Sequence, residues 1–158
     1  MNSKITYIRI LLVILIAVWC FGIFFPVLYH SNESNLFSGI FLGRIYSIVC
    51  HQADSKSFFV SGHKLEVCAR CTGIYAGALF FAVTALFFPK FKPRSNRPLY
   101  IGMAIMAADI ILYSAGIYSY SKWIALITGL ILGSVSILYI FSGIEEYFSE
   151  SMTSSDVP

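Results

Sequence analysis

The sequence predicts an all-α, polytopic membrane protein with four transmembrane helices and one short interfacial or re-entrant helix. Of its 158 residues, 58% are hydrophobic and only 12% are charged, and the mean hydropathy is +0.76. A soluble domain carries about 25% charged residues, so lipid is expected to cover much of this surface. Four apolar stretches each approach the roughly 20 residues that an α-helix needs to cross about 30 Å of hydrocarbon.

The first stretch, Ile10–Tyr29, follows the cations Lys4 and Arg9. A cleaved signal peptide has a similar charge pattern. However, this apolar run is longer than a typical signal core, and it lacks a small-x-small cleavage site. Pro26 lies near its end, where it would only kink a helix that is already ending. We therefore expect an uncleaved transmembrane helix here.

A shorter apolar segment, Leu36–Val49, contains Arg44 and leads directly into Cys50. A segment of this length is too short to span the bilayer and is more often interfacial or re-entrant. We expect it to form a helix at the membrane surface.

Three further stretches complete the predicted set: Cys71–Pro89, Pro98–Tyr120, which is interrupted only by Asp109, and Trp123–Ile144. In lipid every backbone polar group has to be paired within the protein, and a helix achieves this within one segment. The sequence thus predicts a single transmembrane domain over residues 1–150 and a flexible polar tail over residues 151–158.

A basic loop between the second and third spans predicts the orientation. Short loops rich in Lys and Arg remain in the cytoplasm. Counting spans from this loop places both termini in the cytoplasm and the Cys/His loop, residues 30–70, outside the cell membrane. The outer loop also carries cations, but they are more widely spaced, so we assign the orientation from the basic loop. The basic loop contains Lys90, Lys92, Arg94 and Arg97.

The expected partner is the lipid bilayer. The net charge of +3 is too small to indicate nucleic acid. The chain has no P-loop, dinucleotide glycine motif, H-E-x-x-H motif or serine elbow, so no reaction is predicted from these motifs.

Three of the four cysteines and two of the three histidines lie between residues 50 and 71. Cys68 and Cys71 form a C-x-x-C pair, which presents two thiolates to one ion, and Cys50 supplies a third. One histidine would complete a Cys3His site. Sulfur donors with one imidazole favour a transition metal, with zinc preferred over calcium or magnesium.

The fourth ligand is predicted to be His63 or His51. Because Cys50 and His51 are adjacent, they would find it hard to share one ion, and His63 is therefore favoured on geometry. His51 would then act as an acid or base, or orient a ligand.

Two other interpretations of the cysteines remain open. A C-x-x-C pair at a helix N-terminus with Arg70 between its members is also typical of thiol-disulfide oxidoreductases, since the dipole and the cation favour the thiolate. The segment's extracytoplasmic position also permits a purely structural disulfide between Cys50 and one of the pair in a structural membrane subunit.

These residues also carry a family resemblance. "CHQ" followed by "KSFFVSGHKLEVCARCTGIYAG" resembles the signature of DUF2085, a family of predicted prokaryotic membrane proteins without an established activity. Lys56 stands where the family pattern has arginine. Downstream, Asp109 and the segment 128–133 correspond to an aspartate-glycine and a T-G-x-x-x-G pattern, although Ile110 replaces the glycine. The matching positions are Cys50, His51, Gln52, Ser57, Phe58, Gly62, Cys68, Ala69, Arg70, Cys71, Thr72, Gly73, Ile74, Tyr75 and Gly77. The resemblance implies a membrane protein in which this motif is important, and Gln52 is among the supporting residues.

Asp109 lies near the middle of the third predicted span. A charged carboxylate at that depth costs roughly 2.5–3.5 kcal/mol on insertion scales, so it should face the bundle. It would serve as a proton or ion relay or as an acceptor for a ligand of the metal. The alternative is a protonated carboxyl that is hydrogen-bonded to Tyr113, Ser114 or a neighbouring helix.

Arg70, beside the cysteines, would bind an anionic group or extend to the headgroups.

Two G-x-x-x-G pairs, Gly73 with Gly77 and Gly129 with Gly133, predict close helix packing, because small residues let helices approach each other in lipid. The expected contact joins spans two and four within one chain, and the alternative is a homodimer through either face. Tyr75 lies between the first two glycines and would direct its hydroxyl into the bundle.

Overall fold

The computed structural model describes residues 3–28, 36–88, 93 and 95–155. Within them the chain forms five α-helices, a 3-10 turn and a two-stranded hairpin. The helices are α1 Ser3–Leu28, α2 Leu36–Ser47, α3 Ala69–Phe87, α4 Arg97–Ser114 and α5 Lys122–Ser155. The turn covers Asp54–Lys56 and precedes strands β1 Ser57–Val60 and β2 His63–Cys68. The predicted helical class is confirmed, and α2 lies where the short helix was predicted.

Among the described residues, three helices are long and apolar enough to cross a membrane, over Ile5–Phe25, Ala69–Phe87 and Lys122–Phe148. They coincide with the first, second and fourth predicted spans. The third predicted span corresponds to α4, which ends at Ser114 before a turn instead of continuing to residue 120. Helix α4, which contains Arg97 and Asp109, is not among these three helices.

Helices α3 and α5 run parallel and pack backbone to backbone through the four predicted glycines. A Cβ on Gly73 would lie 2.9 Å from the backbone nitrogen of Leu130, and one on Gly133 would lie 2.7 Å from the carbonyl carbon of Ile74. Gly77 and Gly129 are equally close to the facing helix. Both glycine faces are therefore occupied within one chain, and a homodimer through them would require α3 and α5 to separate.

Helices α1 and α4 run antiparallel to this pair. Late in α4, Asp109 pairs with Arg70 in the first turn of α3. Near the start of α1, Arg9 pairs with Glu145 late in α5. Both partners of this second pair are largely buried. The start of α1 and the later part of α5 therefore share one end of the bundle.

The other end, called here the hairpin end, carries the two strands and the starts of α3 and α5. Lys122, which begins α5, donates a hydrogen bond of 2.7 Å to the backbone oxygen of Ser57 in β1. The phenyl ring of Phe58 packs against Trp123 with ring centroids 5.4 Å apart. These contacts fix the hairpin onto α5.

The hairpin was not predicted, and the segment was interpreted as a loop. Its turn residues, Ser61 and Gly62, have φ values of 52° and 82°. A two-residue turn with positive φ at both positions matches the twist of antiparallel strands. In β2 the apolar residues Leu65 and Val67 are buried and their neighbours are more exposed. Such alternation is typical of a half-buried strand.

Some predictions concern residues outside those described. These are the basic-loop cations Lys90, Lys92 and Arg94, together with His30 and the last three residues, 156–158. The structure extends α5 to Ser155, and the boundary between domain and tail at residue 150 remains a prediction.

Candidate metal centre

Cys50 sits at the end of the turn that follows α2, and it is 6% exposed. Its backbone amide donates a hydrogen bond of 2.9 Å to the carbonyl oxygen of Tyr46, which extends the last turn of α2. Its side chain belongs to an apolar cluster with Leu65 and Val67 of β2 and Ile23 of α1. Packing on three sides thus fixes the Cys50 sulfur at the hairpin end.

Cys68 and Cys71 lie where a strand becomes a helix. Cys68 ends β2 and is the N-cap of α3, with extended backbone angles of −69° and 162°. Cys71 lies in the first turn of α3. The backbone amide of Cys68 donates a hydrogen bond of 3.2 Å to the sulfur of Cys50, and Thr72 donates one of 3.1 Å to the carbonyl oxygen of Cys68.

The sulfur atoms of Cys50, Cys68 and Cys71 all lie within 4.8 Å of one another. Thiolates that bind one zinc ion at about 2.3 Å in tetrahedral geometry are roughly 3.8 Å apart, so small adjustments suffice for all three to bind one ion. The structure therefore brings together three of the four predicted ligands, and all four cysteines of the chain are free thiols.

The sulfurs also interact electrostatically. A hydrogen bond from the Cys71 thiol lowers the pKa of Cys68 to about 5, against burial, which raises it, and a further hydrogen bond from Cys50 acts in the same direction. The lowered pKa favours the thiolate of Cys68, which is the form that binds metals and attacks disulfides.

Gln52 holds the chain after Cys50 in position. Its side-chain amide donates hydrogen bonds of 2.9 Å to the carbonyl oxygen of Gly43 in α2 and 2.8 Å to that of Glu66 in β2. Its own carbonyl oxygen accepts a hydrogen bond from Lys64, and its φ is 47°. A left-handed residue with this many fixed contacts defines the path of the loop. Gln52 therefore has a positioning role that the sequence did not specify.

Neither predicted histidine joins the sulfur cluster in the described part of the chain. His63 pairs with Val60 beside the hairpin turn, whereas Cys68 pairs with Ser57 at the opposite end of the strands. At about 3.3 Å per residue, the length of β2 separates His63 from Cys68 by roughly 16 Å. His51 is exposed although its neighbour Cys50 is buried.

Arg70, between the two later cysteines, forms an ion pair with Asp109. Asp109 is 6% exposed, and its other carboxylate oxygen accepts a hydrogen bond from the Tyr118 hydroxyl. The partners of Asp109 are therefore Arg70 and Tyr118, and the predicted partner Ser114 instead donates to Ile110 of its own helix. Burial of both charges together avoids the cost of an isolated carboxylate.

Tyr120 lies between this ion pair and the cysteines. Burial and, to a smaller extent, the charge on Cys68 together raise the pKa of Tyr120 to about 12, and Arg70 opposes the shift. The ammonium group of Lys56 lies 5.4 Å from the centre of the Tyr120 ring and 4.8 Å from that of Tyr113. Tyr120 is therefore near both the ion pair and the cysteines, and Lys56 lies against its ring.

Aromatic residues form the opposite side of the centre. Trp19 of α1 packs edge-to-face against Tyr46 and Tyr75, with centroids 4.8 and 6.0 Å apart. The Tyr46 hydroxyl donates a hydrogen bond of 2.7 Å to the backbone oxygen of Trp19, and burial raises the pKa of Tyr46 to about 12. Cys20 donates a weak hydrogen bond of 3.6 Å to the Tyr75 carbonyl oxygen. Cys20 thus connects α1 to α3 but lies outside the group formed by Cys50, Cys68 and Cys71.

The fold and this centre define a class: a helical membrane protein with a cluster of cysteines at one end of its bundle. The chain belongs to the DUF2085 family, described as predicted membrane proteins, whose profile matches residues 50–139. The matched region includes the three clustered cysteines as well as Asp109 and Gly133, so the predicted resemblance is confirmed.

Two archaeal relatives are similar to this chain. An uncharacterised protein of Methanocaldococcus jannaschii is 38% identical over 117 residues, which cover 71% of this chain and 75% of the relative. An uncharacterised protein of Methanothermobacter thermautotrophicus is 39% identical over 44 residues, or 28% of this chain and 40% of the relative. No solved structure matches the chain.

Proposed function

We propose that the protein binds a transition metal ion, zinc before others, through Cys50, Cys68 and Cys71 on the extracytoplasmic side of a cell membrane. The observation that carries the proposal is the convergence of three sulfurs within 4.8 Å from residues up to 21 positions apart in sequence. Three thiolates are a soft donor set, which favours zinc or copper over calcium or magnesium.

The groups around the three sulfurs favour a bound metal ion over three thiols that act independently. The amide of Cys68 donates to the sulfur of Cys50, an outer-sphere contact that stabilises a metal-bound thiolate. The N-terminus of α3 presents its positive dipole end to Cys68 and Cys71, which also favours negative sulfur. Gln52 fixes the loop that carries Cys50.

The test is metal analysis of the protein purified in detergent. We expect stoichiometric zinc in the wild type, with thiols that become reactive only after a chelator is added. Cys50→Ser and Cys68→Ser should lose the metal. Cys20→Ser, the matched control, alters a buried cysteine outside the sulfur cluster and should retain it. Metal-free wild type with three freely reactive thiols would contradict the proposal.

The orientation is part of the same proposal: α4 is a fourth crossing, both termini are cytoplasmic, and the hairpin end is extracytoplasmic. The parallel packing of α3 and α5 supports the fourth crossing, because two parallel spans need a returning segment between them. α4 has 18 residues, or about 27 Å at 1.5 Å per residue, which approaches the hydrocarbon thickness. The basic loop supports the direction.

Labelling of single cysteines introduced into a variant that lacks the native four tests this arrangement. A cysteine at Ser61 in the hairpin turn and one at Ser119, which follows α4, should each react with a membrane-impermeant maleimide in intact cells, whereas one at Ser95, before α4, should react only after permeabilisation. The same reactivity at Ser95 and Ser119 would mean that α4 does not cross.

A second candidate function is supported by the thiolate character of Cys68. In a thiol-disulfide oxidoreductase, this thiolate would attack a substrate disulfide and release one sulfur as a thiolate. Cys71 would then give its proton to the released thiolate and attack the Cys68 sulfur of the mixed disulfide, which releases the second substrate thiolate. The resulting Cys68–Cys71 disulfide would be reduced by a quinol or a thiol partner. Isolation of a Cys68 mixed disulfide from Cys71→Ser cells would favour this function over metal binding.

A further inference from the structure

We propose that the fourth ligand of the metal comes from outside the chain and is a small donor such as water or a thiolate. This inference rests on the proposed metal centre. It replaces the loop histidine of the sequence prediction with an open coordination position. Zinc sites with three protein ligands keep the fourth position for water or substrate, whereas structural sites are closed by four protein ligands.

The hairpin register opposes ligation by His63. His63 pairs with Val60, while Cys68 pairs with Ser57 at the other end of the same two strands. A zinc–nitrogen bond is about 2.1 Å long, so closing a gap of roughly 16 Å would require the hairpin to unpair. The buried side chains of Leu65 and Val67 would then leave the core.

The local backbone opposes ligation by His51. The side chain of Cys50 points into the core and that of His51 into solvent, so the two diverge. Gln52 fixes this divergence through its hydrogen bonds to Gly43 and Glu66. Turning His51 toward the sulfurs would break those contacts.

The exposure of the sulfurs indicates where an external ligand would enter. Cys50 is buried, but Cys68 and Cys71 are only half-buried. Tyr46 and Trp19 close the side facing α1. An external ligand would approach from the side of Tyr120 and the pair of Arg70 with Asp109, which lie near the two half-buried cysteines. Arg70 is already bound to Asp109, so it shapes the entrance without competing for the metal.

Cobalt(II) substitution tests the inference, because the visible ligand-field bands of cobalt respond to each donor. We expect the cobalt protein to change its spectrum when cyanide is added. The response should persist in four single variants that remove the fourth cysteine and each of the three histidines of the chain: Cys20→Ala, His30→Ala, His51→Ala and His63→Ala. Each variant should also keep the metal affinity of the wild type, since loss of a ligating group or its support costs at least about 10-fold.

Two outcomes overturn the inference in different ways. Cobalt that binds but does not respond to cyanide, with one variant losing affinity at least 10-fold, would show a closed site and leave the metal centre intact. Failure of the wild type to bind cobalt or zinc at all would overturn the proposed function together with this inference. Circular dichroism of each variant separates a lost ligand from a lost fold.

Discussion

Alanine at Gly133 should weaken the contact between α3 and α5, and the structure gives the size of the effect. A Cβ at this position would lie 2.7 Å from the carbonyl carbon of Ile74, whereas ordinary contacts begin at 3.4 Å. The two backbones would have to separate by at least about 0.7 Å. Overpacking of this kind costs about 1–3 kcal/mol.

The matched control is the same substitution at Gly143, which lies further along α5. A Cβ there meets nothing within 4 Å. Both substitutions gain the helix propensity of alanine over glycine, about 1 kcal/mol, so their difference isolates the steric cost. We therefore expect Gly133→Ala to unfold about 1–3 kcal/mol more easily than Gly143→Ala.

The assay is reversible unfolding in mixed micelles with increasing sodium dodecyl sulfate, followed by circular dichroism. Chemical crosslinking in the same micelles checks the oligomeric state. Equal stability of the two variants would refute the intramolecular packing of α3 on α5. Dissociation of a dimer by Gly133→Ala would show that the glycine face joins two chains instead.

Three further predictions concern the hairpin end. In metal-free protein, the rate of Cys68 alkylation by iodoacetamide should level off above about pH 6, because its pKa is lowered to about 5, whereas an ordinary thiol continues to react faster through about pH 8.5. A rate that still rises above pH 7.5 would contradict the thiolate assignment. Tyr46→Phe should destabilise the fold by about 1 kcal/mol in the same unfolding assay, since it removes the hydrogen bond to Trp19. Asp109→Ala should cost about 3–5 kcal/mol, because it leaves the Arg70 guanidinium buried without its carboxylate. The double variant with Arg70→Met should regain part of that loss, and no recovery would argue against the pair.

The helices were predictable because their signal is local. An apolar run of sufficient length determines a membrane helix from composition alone, and α1, α3 and α5 were found in this way. The hairpin was missed because its strands have only four and six residues, and because the segment was interpreted from its cysteines and histidines. The alternation of Leu65 and Val67 with polar neighbours indicates a strand, and Ser61 and Gly62 just before it indicate a hairpin turn.

Only part of the candidate metal centre could be predicted from the sequence. Soft side chains at this spacing predicted the meeting of Cys50 with Cys68 and Cys71, and the structure brings them together. The choice of His63 as fourth ligand followed from its position in sequence. That choice ignored strand register, which moves a residue about 3.3 Å along the sheet for each position. The pairing of Arg70 with Asp109 joins residues 39 positions apart, and no local pattern contains such information.

The other residues of the family motif hold the three cysteines in position. Gln52 ties the loop after Cys50 to α2 and β2, and Gly62 makes the turn that aligns β2 with β1. Arg70 connects the first turn of α3 to α4, and Gly73 lets the same helix approach α5.

The contacts of Arg70 and Gly73 act on the first turns of α3, where Cys68 and Cys71 lie. A shift of that helix would move Cys68 and Cys71 together and leave Cys50 behind with α2. The geometry of the sulfur cluster is therefore set by the bundle as well as by the loop. For this reason, Asp109→Ala should weaken metal binding although Asp109 contacts no sulfur. Loss of a residue that supports the metal ligands lowers the metal affinity by about 10–100-fold. Unchanged affinity in a folded Asp109→Ala protein would show that the loop alone holds the metal.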